Sequence, residues 1–400
     1  MVGGGILGLA AGMTLSARRP DLRVTVLEKE PQVAAHQTGH NSGVIHSGLY
    51  YRPGTLKAAL CVRGAKQMVE FCQAEGIPLR KVGKVIVARS EEESPRLREL
   101  SRRGEANGVP DLRLLSGQEL REVEPHAAGV EGLHVPGVWV VDFTRVAQAY
   151  AGRLQDRGGV LRTNCRLLGL RKNSRLTLET TQGEIPADFL INCGGLQADR
   201  LAAGAARQSS GRSLPLQILP FRGEYYELVP EKRDLVRGLI YPVPDPRFPF
   251  LGVHLSRRVD GRVEAGPNAV LAFKREGYRK GDFDLRDLAQ MLAFPGFWRM
   301  SARHWRTGLA EMRRSFLKSA FVRSVQELVP EIGPSDLVPG GSGVRAQAVD
   351  RAGNLLDDFH ILEEPLGLHL LNAPSPAATA SLAIAEVVAD AVEKRLSRPG

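Results

Sequence analysis

Cysteine is scarce, four in 400 residues. Cys61, Cys72, Cys165 and Cys193 form no C-x-x-C pair and no cluster with histidine. That pattern argues against a disulfide framework and structural zinc, and fits reduced thiols in a cytosolic compartment. Long apolar runs are also missing. The stretch from Ile6 to Leu15 is too short and glycine-rich for a bilayer span, and no basic segment or small-residue cleavage site precedes it. The expected location is therefore cytoplasmic. Neither internal repeats nor low-complexity tracts occur, so the chain reads as globular. At 400 residues, two domains sharing a cleft are expected, because single cores stop growing below that length.

Negative charge is in deficit, with 44 acidic against 54 basic residues and a net charge of +10. The excess concentrates between Arg299 and Arg323, where Arg299, Arg303, Arg306, Arg313, Arg314 and Lys318 interleave with Trp298, Trp305, Leu309, Phe316 and Phe321. Two readings are open for this basic amphipathic stretch: a solvated helix face, or peripheral contact with the anionic cytoplasmic membrane face. Nucleic acid is not expected, since no reading motif accompanies the charge.

What is present begins at once. Gly3, Gly5 and Gly8 form G-x-G-x-x-G, and Glu28 follows Gly8 by twenty positions after the apolar run Arg23 to Leu27. In a βαβ unit those glycines permit a tight turn, close approach of backbone to a pyrophosphate, and helix–strand packing. The anion rests on the helix N-terminus, and the carboxylate accepts from ribose hydroxyls, which suits FAD or NAD better than NADP. Only Met1 and Val2 stand before the first glycine, where a strand of about five residues is usual. Flavin or nucleotide binding is therefore expected to be weak unless that slot is filled.

Along the chain, helices are expected from Thr55 to Ala74, Glu91 to Asn107 and Asp142 to Arg157, with a capping box at Ser116–Glu119. Strands are expected at Lys84–Ala88 and, around a turn at Gly183, from Leu176 to Ile191. Between Leu216 and Phe273 short segments punctuated by Pro and Gly predict an antiparallel sheet with strands Gly223–Val229, Leu239–Val243, Phe250–Leu255 and Val263–Gly266. Helices follow between Asp284 and Val329. The loop Asn372–Pro376 precedes a helix to about Arg395, with Ser375 as its expected N-cap and Pro376 at its first position.

The block His36-Gln-Thr-Gly-His-Asn-Ser-Gly-Val-Ile-His-Ser-Gly-Leu-Tyr-Tyr51, with the fingerprint and Glu28, resembles the flavoproteins of the D-amino-acid oxidase and glycerol-3-phosphate dehydrogenase superfamily. Within it the likeness is to the L-2-hydroxyglutarate dehydrogenase/oxidase branch. It continues through Phe221–Tyr226, Leu239–Pro246, Phe250–His254, Gly266–Tyr278, Gly343–Gln347 and Asn372–Thr379. The implied fold is α/β: a Rossmann-like FAD-binding domain (1–80, 140–212 and 335–400) interleaved with an α+β substrate domain on an antiparallel sheet (81–139 and 213–334). The implied cofactor is FAD, held by Gly3, Gly5, Ile6, Gly8, Glu28, Lys29, Thr38, His40, Asn41, Ser42, Gly43, Leu167, Cys193, Gly194, Gly343, Asn372, Ala373, Pro374 and Ser375. Some relatives tether flavin through a histidine of this loop, for which His40 is the candidate.

Oxidising a 2-hydroxy acid requires hydride loss from C2 to flavin N5, a base for the hydroxyl proton, and cations for the carboxylate. Arg345 is expected in a glycine-flanked turn, gripping the carboxylate through its guanidinium fork. His254, expected at the end of an apolar strand, is the first candidate for the base and His46 the second. Tyr241 is a candidate for orienting the hydroxyl. A second carboxylate, as in 2-hydroxyglutarate, calls for another cation, with Arg222, Lys274 and Arg275 as candidates. The absence of a second dinucleotide fingerprint leaves oxygen or a membrane quinone as electron acceptor. The alternatives are oxidation of glycerol 3-phosphate or an amino acid, or a flavin-free binding protein.

Overall fold

A computed structural model describes residues 1–172, 175–209, 213–245 and 251–397. The domain boundary expected at 212, the Pro246 and Phe250 ends of two expected segments and the last three residues lie outside the described residues.

The glycine fingerprint opens the helix Ile6–Arg18, which begins at Gly5. Leu9, Ala10, Ala11, Met13 and Leu15 on it are all buried. A helix apolar on most sides needs neighbours all round, and it packs against the helices Phe143–Asp156 and Ser381–Leu396. The parallel sheet beside it runs Val160–Arg162, Thr25–Leu27, the Val2 segment, Leu190–Asn192 and Gly367–Asn372, with His360–Glu364 antiparallel at the edge. Val2 bridges Leu27 on one side and Asn192 on the other. Its N–H donates to the Ile191 carbonyl at 2.9 Å, and its own carbonyl accepts from Cys193 N at 2.9 Å. The central slot that the sequence left short is thus filled by Met1 to Gly3, hydrogen-bonded along both edges.

A nine-stranded sheet forms the other half of the fold. Its order is Val270–Leu271, Leu216–Leu228, Val263–Gly266, His254–Arg257, Leu239–Pro242, Lys84–Ala88, Glu131–Val135 and Arg113–Ser116, and Leu337–Asp350 also pairs with Leu216–Leu228. Pairing is antiparallel except between Lys84–Ala88 and Leu239–Pro242, which run parallel. Side chains alternate across a sheet. Val85, Val87, Ile240 and Leu255 therefore go to one face, sealed by Phe321, Val322 and Val325 of the helix Lys318–Gln326. The register that pairs Lys84 with Leu239, Ile86 with Tyr241 and Ile240 with Leu255 puts Lys84, Ile86, Tyr241 and His254 on the opposite face.

Several local expectations are realised: Thr55 caps the helix Leu56–Ala74, and Ser116 and Glu119 form a reciprocal capping box. Others are corrected. The hairpin Leu176–Ala187 joins Leu167–Lys172 in a separate three-stranded sheet, and Leu190–Asn192 leaves it for the parallel sheet. Ser375 is not an N-cap, because an intervening turn delays the last helix to Ser381. His254 starts its strand rather than ending it. Arg345 lies within the 14-residue strand Leu337–Asp350, opposite Phe221, not in a turn.

Candidate active site

One cavity of 1110 Å³ runs from the fingerprint helix to the inner face of the large sheet. Ligand pockets are commonly about 300–1,000 Å³, so the volume suits an extended dinucleotide with a small molecule beyond it. At one end Gly3, Gly5, Ile6, Glu28 and Lys29 line the wall. Glu28 is 7% exposed, and its carboxylate accepts from Gly4 N at 2.7 Å and Glu30 N at 2.9 Å. This fixes it beside the helix N-terminus. Gly3 has φ +111°, and a Cβ there would stand 2.3 Å from the Cys193 carbonyl oxygen, so no other residue fits that turn. Thr38 locks the next loop to the helix by accepting from Ile6 N at 3.0 Å.

His40, Asn41, Ser42, Leu167, Cys193, Gly194, Gly343, Ala373, Pro374 and Ser375 continue the lining. Asn41 holds its own loop, donating to the Thr38 carbonyl at 2.6 Å and accepting from Gly43 N at 2.9 Å. The His40 ring stacks on Tyr278 at 4.0 Å, with Nδ1 3.0 Å from the Ser342 carbonyl.

At the far end stand His46, Tyr50, Tyr51, Lys57, Tyr225, Tyr241, His254 and Arg345. The His254 ring stacks on Tyr241 at 3.8 Å. Its Nδ1 lies 2.9 Å from the Gly252 carbonyl, which can only accept, so Nδ1 carries the proton and Nε2 the lone pair. Burial lowers the His254 pKa to about 4, helped by the charges of Lys84 and Arg345. His46 is lowered to about 3, first by burial and then by Lys84; its Nε2 lies 3.2 Å from the Ser375 hydroxyl. Both imidazoles are neutral at pH 7. Burial also lowers Arg345, opposed by Tyr225 and Tyr51.

Six expected site residues do not line this cavity. Arg222 is ion-paired with Glu224 at 2.9 Å and donates to the Arg279 carbonyl. Arg275 is spent on buried Asp199 and the Leu196 carbonyl, and Lys274 lies off the wall beside it. Gly8 packs against the fingerprint turn, where a Cβ would fall 2.0 Å from the Gly3 oxygen. Gly43 supports its loop with φ +72° against the Val141 carbonyl. Asn372 is a strand clamp, accepting from Ala348 N and donating to the Leu356 and Asp358 carbonyls.

Sequence reasoning missed Tyr50, Tyr51, Lys57 and Lys84. The two tyrosines lay inside the His36–Tyr51 block and were available to it. Lys84 is 2% exposed, with Nζ 4.7 Å and 4.8 Å from the ring centroids of Tyr50 and Tyr241, and burial lowers its pKa to about 8.

A glycine-lined helix start, a fixed carboxylate and a long cavity ending in neutral imidazoles and a guanidinium define a dinucleotide-dependent oxidoreductase, and these residues fit FAD. Residues 1–391 match the FAD-dependent oxidoreductase family, and the chain belongs to it. It is 49% identical over 396 residues to the L-2-hydroxyglutarate dehydrogenase of Indibacter alkaliphilus, covering 99% of this chain and 98% of that protein. To the human mitochondrial L-2-hydroxyglutarate dehydrogenase it is 44% identical, covering 99% and 88%. Among solved structures, FAD-bound L-α-glycerophosphate oxidase from Mycoplasma pneumoniae superposes with TM-score 0.77 at 25% identity, covering 98% of this chain and 93% of that one. Membership of an FAD-dependent family leaves the flavin-free alternative without support.

Proposed function

We propose that the protein oxidises L-2-hydroxyglutarate to 2-oxoglutarate. The observation that carries this reading is the far wall of the cavity, where the lone pair of His254 and the Arg345 guanidinium face the same space. The relatives named above give it further support. Bound FAD supplies the hydride acceptor. Arg345 grips the C1 carboxylate, and His254 Nε2, which has no protein partner among the described residues, takes the hydroxyl proton. Tyr241 holds the imidazole plane by stacking. His46 is the second candidate, although its Nε2 already contacts Ser375. Anaerobic addition of L-2-hydroxyglutarate is expected to bleach the flavin band. A yellow protein bleached instead by glycerol 3-phosphate or an amino acid would overturn the substrate assignment.

For the electron acceptor, a specific surface favours a membrane quinone over oxygen. The helix Pro295–Phe316 leaves Trp298, Trp305, Leu309, Met312 and Phe316 exposed. The segment kinks at His304; beyond the kink Trp305, Leu309, Met312 and Phe316, spaced four, three and four residues apart, make one helical stripe, and Trp298 is exposed before it. Arg299, Arg303, Arg306, Arg313 and Arg314 flank it, a composition suited to an anionic lipid surface. The expected basic stretch is shorter than its sequence bounds, because Phe321 is buried and Lys318 donates to the Leu337 carbonyl. Among the described residues no helix is long and apolar enough to cross a membrane. Peripheral attachment at the cytoplasmic face is the arrangement proposed.

A further inference from the structure

Arg222, Lys274 and Arg275, the cations expected for a second carboxylate, stand outside the cavity. Two others, Arg345 and Lys57, line its far end, and a third, Lys84, lies directly behind the Tyr50 and Tyr241 rings of that wall. Arg345 is assigned above to the carboxylate beside the reacting carbon. Lys57 is engaged by Asp357, donating to its carbonyl at 2.9 Å and its carboxylate at 3.1 Å. Lys84 differs from both. It has neither a carboxylate nor a hydrogen-bond acceptor among the described residues, only the two tyrosine rings that separate it from the cavity.

A buried ammonium without a counter-ion is costly, and native structures tolerate one where a partner arrives from outside. A second observation points the same way. In the turn next to Lys84, His46 Nδ1, the Ser47 hydroxyl and the Tyr50 hydroxyl are buried with no hydrogen-bond partner. Three orphaned polar atoms within five residues mark a place where a ligand or water completes the bonding.

We propose that Lys84, with the Tyr50 hydroxyl, is the specificity-determining site for the second carboxylate of a dicarboxylic 2-hydroxy acid. The assignment rests on the hydroxy-acid reading of the cavity and names what that reading lacked. A cation held in a water-poor wall attracts a carboxylate more strongly than a solvated one does. Its charge rewards a dianion and does nothing for a monocarboxylate of the same shape.

The test compares L-2-hydroxyglutarate with L-2-hydroxybutyrate, which lacks the second carboxylate, on the flavin-loaded wild type and on Lys84→Met, Lys84→Arg and Tyr50→Phe. Lys84→Met is expected to lower kcat/KM for L-2-hydroxyglutarate at least tenfold, about 1.4 kcal/mol, mainly through KM. It should leave L-2-hydroxybutyrate within about twofold. Lys84→Arg should recover part of the preference. Binding of 2-oxoglutarate and 2-oxobutyrate, followed by perturbation of the flavin band, should show the same split without turnover. If Lys84→Met does not fold, Tyr50→Phe, which removes one hydroxyl, carries the same comparison. Equal loss on both substrates, or no change on either, overturns the assignment. A wild type that turns over neither compound overturns the hydroxy-acid reading itself, and this one with it.

Discussion

His254 shows how one hydrogen bond suits a side chain to the role proposed for it. Because the Gly252 carbonyl can only accept, the imidazole is held in the tautomer that leaves Nε2 free for a proton. Replacing it by asparagine is expected to lower kcat about 10²–10⁴-fold, the usual range for a general base, with little change in KM. A similar loss in a His46→Asn variant but not in His254→Asn would transfer the role to His46. The lowered pKa sets the pH window. Burial holds His254 near 4 against an ordinary 6.5, so the base stays neutral down to about pH 4 and kcat/KM should hold as the pH falls from 7 to 5. An acid limb centred near 6.5 would contradict this environment. The same displacement makes the unfolded chain bind more protons between the two values. This group's contribution to stability is therefore full above pH 6.5, declines as the pH falls between the two values and is lost below about 4.

At the scale of the element, the fingerprint turn and its helix act as one packed unit. A Cβ at Gly8 would lie 2.0 Å from the Gly3 oxygen, and since both partners are backbone, neither can swing aside. Gly8→Ala is expected to cost about 1–3 kcal/mol by overpacking and to lower the flavin-to-protein absorbance ratio after purification. An unchanged ratio and urea midpoint would show that the turn has slack. This unit was legible in the sequence because glycine spacing and Glu28 are local signals. So were Thr55 and Ser116, whose caps depend on residues three positions away. Lys84 was not legible. Heading an apolar strand it reads as a solvent-facing end, and only the pairing with Glu131–Val135 on one side and Leu239–Pro242 on the other buries it. Arg275 stands off the cavity for the converse reason, since tertiary packing brings it to Asp199, whereas the partner of Arg222 is Glu224 two positions along the same strand.

For the whole molecule, the membrane contact proposed above rests on the exposed aromatic residues of Pro295–Phe316. Flotation with vesicles containing anionic phosphatidylglycerol should carry the wild type upward, and neutral phosphatidylcholine vesicles should not. Replacing Trp298, Trp305 and Phe316 by serine should abolish flotation while the flavin is still bleached by substrate. Wild type that floats with neither vesicle would return the acceptor to a soluble one such as oxygen.

The pairing of Val2 carries a consequence for biosynthesis. Its backbone is clasped by Leu27 and Asn192, and the next strand out, Gly367–Asn372, lies near the other end of the chain. Segments this far apart in the chain must all have been synthesised before the sheet can close. Contacts of such wide sequence separation slow folding, so the nucleotide half is completed late, after the ribosome has made most of the sheet that will roof it.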